Sequence, residues 1–149
     1  MPDHLETTVD KFVFRVATDR LYSPEGVWAL AVGDRIRIGM TDFLQQLNGD
    51  VAFAEVKPEG TVLGIGDEVA LIETIKTNVG VPSPVGGTVA EVNPAMELSP
   101  EAINGDPYGE GWLALVDARD WPTDRAALLD PEAYFELMTG QAREEANKP

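Results

Sequence analysis

At 149 residues, with 44% hydrophobic and 25% charged residues, the chain has the length and composition of one globular domain. Eleven Lys and Arg against 26 Asp and Glu leave a formal charge of −15, which repels phosphate backbones and anionic lipid, so neither nucleic acid nor membrane is expected as a partner. The absence of cysteine excludes disulfides, thiolate nucleophiles and Cys-based metal sites, so any redox chemistry must arrive on a cofactor.

The opening "MPDHLETTVDKF" lacks an apolar core of signal-peptide length, and no run approaches the ~20 apolar residues of a membrane span, so a cytoplasmic location is expected. Residues 1–20 read as a loose N-terminal arm with one strand, where Phe12, Phe14 and Val16 alternate. The main folded domain is bounded at 21–140. "VWALAVGDRIRIG" predicts two strands turning at Gly33 and Asp34. "TDFLQQLNG" predicts a short helix capped by Thr41 and stopped by a left-handed Gly49.

The runs "VAFAEV", "TVLGIG", "EVALIETI" and "GGTVAEV" are β-rich and separated by turn residues. They predict a mainly β fold with short helices, an antiparallel β-sandwich or flattened barrel. In "SPEAING" a helix is expected with Ser99 as cap, Pro100 at its first position and Gly105 past its end. "GDPYGEGW" is read as a tight turn with close backbone approach, and "WLALV", Trp112 to Val116, as a strand. Asp130 and Pro131 open a C-terminal helix that packs on the sandwich, and the polar end 141–149 is expected to fray.

Of the lysines Lys11, Lys57, Lys76 and Lys148, only Lys76 follows a strand apolar on both faces, "VALIETI". Such a strand presents its next residue from a rigid support. Local pattern alone leaves two readings open: a charged hairpin tip that keeps the turn soluble, or a presented amine. Other chemistry is poorly served. His4 is the only histidine, so a Ser-His-Asp arrangement has little to draw on. "GIGDEV" lacks the spacing and the following helix of a dinucleotide site. No catalytic residue and no metal site is assigned.

From about Tyr22 onward the motifs "GMTDFLQQLNGDVAF", "AEVKPEGTVLGIGDE", "IETIK", "SPVGGTVAEVN" and "DPYGEGWL" resemble, in order and spacing, the lipoyl-carrying H-protein family of the glycine cleavage system. The resemblance implies a lipoyl/biotinyl-type β-sandwich with lipoate amide-linked to Lys76 at a hairpin turn. It also implicates Glu73, three residues before the lysine, and Gly87, eleven after it, in lipoylation. Biotinyl carriers share the topology but resemble Met-Lys-Met at the modified site, whereas Ile75 and Thr77 flank this lysine. The implied protein is a non-catalytic swinging-arm carrier, whose dithiolane supplies the redox-active sulfur that the chain lacks.

Departures from the family pattern bear on the cargo. "YSPEGVW" puts Gly26 and Val27 where glycine-cleavage members resemble His-Glu, and Gly80 stands in place of an aspartate after the lysine. Losing these groups removes what would favour a cationic aminomethyl cargo. The reading therefore favours the lipoate-binding branch of bacterial sulfur oxidation, in which a bound sulfur intermediate passes to a heterodisulfide-reductase-like complex. The alternatives are an aminomethyl carrier serving the glycine cleavage enzymes and an unmodified structural or regulatory subunit. Lipoate ligase or lipoyl synthase machinery and dihydrolipoamide dehydrogenase are the further partners implied.

Overall fold

The computed structural model describes residues 3–148. Met1, Pro2 and Pro149, the extremities of the expected arm and tail, lie outside the described residues. The chain opens with β1 (His4–Val9) and β2 (Phe12–Ala17), followed by β3 (Leu21–Tyr22), β4 (Val27–Val32) and β5 (Arg35–Met40). Helix α1 (Asp42–Asn48) precedes β6 (Val51–Val56), β7 (Val62–Leu63), β8 (Glu68–Thr74), β9 (Asn78–Pro82) and β10 (Gly87–Val92). Two single-turn helices, α2 (Ala95–Leu98) and α3 (Ala102–Gly105), lead to β11 (Ala114–Ala118), and α4 (Trp121–Ala126) and α5 (Pro131–Ala146) close the chain.

The six-stranded sheet β3-β4-β5-β11-β10-β7 and the three-stranded sheet β6-β8-β9 enclose an aliphatic core. Val27, Ile38, Val69, Ile72, Val81 and Val116 in that core are all fully buried. At roughly 1.5–3 kcal/mol for each fully buried Val, Leu or Ile, burial of this kind is the main force holding the sheets together. The mainly β fold with short helices and a C-terminal helix agrees with the sequence reading.

Local signals act as expected in several places. Gly33, with φ of +63°, turns β4 into β5 with Asp34. Thr41 Oγ1 accepts from Leu44 N at 3.2 Å and caps α1, and Asp130 Oδ1 accepts from Ala133 N at 2.8 Å and caps α5. In the "GDPYGEGW" turn, a Cβ on Gly111 would lie 2.6 Å from Ala102 O, so the close backbone approach is real.

Both chain ends differ from expectation. The loose arm with one strand is a complete antiparallel hairpin, β1 paired with β2 from His4↔Ala17 to Val9↔Phe12. It is anchored on α1, because Arg15 N donates to Asp42 Oδ2 at 2.9 Å and Gln46 Nε2 to Val13 O at 2.8 Å. Tyr108 adds a third anchor, its hydroxyl donating to Arg15 O at 2.6 Å. The expected fraying end instead continues α5 to Ala146, with Ala142 buried in a cluster that includes Phe14, Phe43 and Tyr134. Helix α3 begins at Ala102 rather than at Pro100, and α2 and α4 are additions to the sequence reading.

Hairpin, α1 and α5 share an aromatic second core with Tyr22 and Trp28. Strand β4 serves both cores by its period of two: Val27 and Ala29 face the aliphatic core and Trp28 the aromatic one. Gly39, paired with Trp28 across the strands, leaves room for the indole, whose Cζ2 would sit 2.5 Å from a Cβ there.

Candidate functional site: the Lys76 hairpin

Lys76 lies in the turn between β8 and β9, where the sequence reading puts it. Thr74 organises this turn: its N–H donates to Thr77 O at 2.8 Å, and its hydroxyl donates to the same oxygen at 2.9 Å. The same Oγ1 accepts from the N–H of Lys76 at 3.2 Å and of Thr77 at 3.0 Å. The side chain thus stands in for a backbone partner, which is how threonine stabilises a tight turn. Ile75 N donates to Asp50 O at 3.0 Å and ties the tip to the loop after α1.

That loop receives the lysine. Gly49 has φ of +88°, and a Cβ added to it would come within 3.0 Å of Lys76 Cδ, so the glycine serves both the turn and the side chain lying across it. Its ψ of −167° turns the chain out of α1 in an extended form, rather than in the left-handed helical form expected. Lys76 Nζ donates to Leu47 O at 3.1 Å. Asn104 braces the loop, its Nδ2 donating to Gln45 Oε1 at 2.9 Å and Gly49 O at 3.1 Å while its Oδ1 accepts from Val51 N at 2.8 Å. Leu47, Asp50 and Asn104 escaped the sequence reading. The glycine after α1 was legible as a stop but carried no sign of its lysine neighbour.

Glu73 and Lys76 share the hairpin. Glu73 is exposed at the end of β8, opposite Asn78 on one side and Phe53 on the other. Neither Glu73 nor Lys76 enters a salt bridge among the described residues. Gly87 is elsewhere, in the six-stranded sheet between Leu63 and Ala118. A Cβ there would overlap Asp117 O and lie 2.9 Å from Ala118 Cα. Packing alone accounts for a glycine at that position.

The departures that suggested a different cargo take on another meaning. Val27 is fully buried in the aliphatic core, so an acid at this position would be a desolvated charge rather than a cargo contact. At Gly80 the place of a Cβ is taken by the Glu68 carboxylate from the adjoining strand. The acid missing from position 80 is therefore matched by one reaching over it. An uncharged cargo loses both of these supports.

Beside the lysine, between α1, the β1–β2 hairpin and α5, a cleft of about 440 Å³ opens. Leu47 and Gly49, which Lys76 touches, line it, as do Phe12, Phe14 and Phe43. Among the described residues no group of three or more His, Asp or Glu is placed to hold a metal ion, and no helix is long and apolar enough to cross a membrane.

Comparison with known proteins identifies the family. The model of the glycine cleavage H-protein family matches residues 20–141. The chain is 41% identical over 127 residues to a glycine cleavage system H protein of Thermus thermophilus, covering 85% of this chain and 98% of that one. It is 40% identical to that of Chlorobium phaeovibrioides, covering 84% and 98%. The crystal structure of a glycine cleavage system H protein from Mycobacterium marinum superposes with a TM-score of 0.72 at 30% identity, over 85% of this chain and 98% of that one. The chain therefore belongs to the glycine cleavage H-protein family, non-catalytic carriers whose lipoate is attached covalently to a lysine.

Proposed function

We propose that Lys76 is the lipoylated lysine and that the chain serves as the H protein of a glycine cleavage system, carrying the aminomethyl group between its enzymes. The observation that supports this reading is the position of Lys76: an exposed amine at the tip of a braced hairpin, ending the "IETIK" motif. The chain's own contribution is presentation. Thr74 and the Ile75–Asp50 bond fix the turn, while Glu73 offers an exposed carboxylate on the same hairpin to the attaching enzyme. Gly87 supports the sheet from which the hairpin projects. When bound, lipoate supplies a redox-active dithiolane to a chain without sulfur nucleophiles.

The relatives described above are all named for glycine cleavage, and the Val27 and Gly80 arguments for another cargo have weakened. These observations favour the aminomethyl carrier over the sulfur carrier expected from sequence. The partners that follow are the lipoate-attaching machinery and the glycine cleavage enzymes, with dihydrolipoamide dehydrogenase restoring the disulfide. A heterodisulfide-reductase-like complex is not among them.

The test is to incubate the lipoylated protein with glycine and glycine decarboxylase and weigh the product. The expected result is an aminomethyl increment that the Lys76→Ala protein never acquires. A lipoylated protein that gains no such increment, yet accepts sulfur from a persulfide donor, would return the assignment to sulfur transfer.

A further inference from the structure

Asn104 belongs to α3, remote in sequence from Lys76, yet its half-buried side chain reaches the loop on which the lysine rests. Its amide takes Gly49 O on one side of Asp50 and Val51 N on the other, at 3.1 and 2.8 Å. We propose that Asn104 is a positioning residue for acylation of Lys76, fixing the segment 49–51 against which the lysine turn is set. The proposal rests on the lipoyl reading of Lys76.

Each residue of that segment meets the β8–β9 turn. Gly49 lies under the lysine, where an added Cβ would come within 3.0 Å of Cδ. Asp50 O accepts from Ile75 N at 3.0 Å. Val51 pairs with Thr74, whose hydroxyl organises the turn. Asn104 thus acts on three consecutive residues, Thr74, Ile75 and Lys76, through their three partners. Gly49 and Asp50 lie between α1 and β6, outside both elements, and a glycine there loses more conformational freedom on ordering than any other residue. The amide is suited to the task. Gly49 O can only accept and Val51 N can only donate, so the group has one orientation, and its second Nδ2 proton goes to Gln45 Oε1 at 2.9 Å. Acylation joins Nζ to the carboxyl carbon of an activated lipoate, with release of the activating group and of one proton from the nitrogen. Asn104 takes no part in that exchange. It supplies a turn already ordered at encounter, so binding of the attaching enzyme need not include the cost of ordering it.

The experiment acylates the unmodified full-length chain with a lipoate ligase and lipoyl-adenylate, and separates KM for the chain from kcat. Asn104→Ala removes all three bonds and should raise KM roughly five- to tenfold, the effect of about one net hydrogen bond, with kcat within about twofold. Asn104→Asp keeps an acceptor for Val51 N but sets a carboxylate oxygen against Gly49 O, so it should act in the same direction. In both, the Ile75 amide should exchange its hydrogen faster than in the original chain. Ile103→Val, at the fully buried neighbouring position, lowers stability without touching the segment and should leave KM unchanged. Asn104 variants acylated with the KM of the original chain would overturn the positioning role. An equal rise in KM from Ile103→Val would overturn it too, by making Asn104 one more packing residue. If the original chain takes no lipoyl group on Lys76, the carrier reading falls instead, and the positioning role with it.

Discussion

The two cores of this molecule are built from different side chains and do different work. The buried residues of the core between the sheets are all Val, Ile, Leu, Ala and Met, and they hold the strands that project Lys76. The core between the N-terminal hairpin and α5 is rich in aromatic residues with hydroxyl or indole groups to satisfy. Tyr22 and Tyr134 stack there at 4.6 Å, their hydroxyls placed against Ala17 O at 2.6 Å and Thr41 Oγ1 at 3.1 Å. Trp28 Nε1 donates to both Met40 O and Pro107 O at 3.0 Å. Aliphatic packing makes the platform, and the aromatic layer fastens the β1–β2 hairpin to it. The lysine belongs to the first region and the cleft beside it largely to the second.

The contrast predicts which perturbations reach which region. The largest effect belongs to the aliphatic core: Ile72→Ala, at a fully buried position in β8, should cost about 2–5 kcal/mol in denaturant unfolding. Equal loss from a substitution at exposed Val62 would blur the distinction. Gly87→Ala comes next, because its methyl meets backbone on β11 that cannot move without parting the sheet; about 1–3 kcal/mol is expected, measured in the same way. If stability holds and only lipoylation falls, Gly87 acts on the attaching enzyme rather than through packing.

Alkaline pH should separate the two cores. Burial holds the hydroxyl of Tyr134 in its neutral form and pushes its pKa up to about 12 from 10.0, against the opposing effect of its bond to Thr41. Burial raises Tyr22 and Tyr108 as well. The folded state therefore holds phenolic protons that the unfolded state releases, so this contribution is complete below about pH 10 and is lost as pH rises toward 12. Tyrosinate absorbance should appear late and together with loss of α5 helicity. Titration at an ordinary tyrosine pKa with α5 intact would contradict the buried layer. Tyr134→Phe, which leaves Thr41 Oγ1 still capping α1, should cost only about 0.5–1.5 kcal/mol.

The same contrast governs how much was legible in the sequence. Alternation in "VALIETI", the Gly33 turn and the Thr41 and Asp130 caps depend on neighbours in the chain, and they place the sandwich, α1, α5 and the Lys76 turn correctly. Strand β1 was missed because "HLETTV" fully buries only Val9 and becomes a strand only through pairing with β2. The aromatic core draws on residues from Val9 to Ala142, a grouping with no local period. Helix α4 did carry a signal, Asp120 followed by Pro122, that went unread. At the site, Glu73 and Lys76 stand out as a motif, whereas Leu47 O, a backbone group, leaves no mark on residue identity. Val27 misled because a motif position was taken for a cargo contact when its strand face belongs to the core.

The central claim is that Lys76 carries the arm. Intact-mass measurement of the protein from its own host, with the modified peptide mapped, tests it most directly. The account predicts one lipoyl increment, located on Lys76 and absent from Lys76→Ala, with that exposed substitution changing stability by no more than about 0.5 kcal/mol. An unmodified Lys76 in cells that lipoylate their other carrier proteins would contradict it and leave this lysine as a charged hairpin tip.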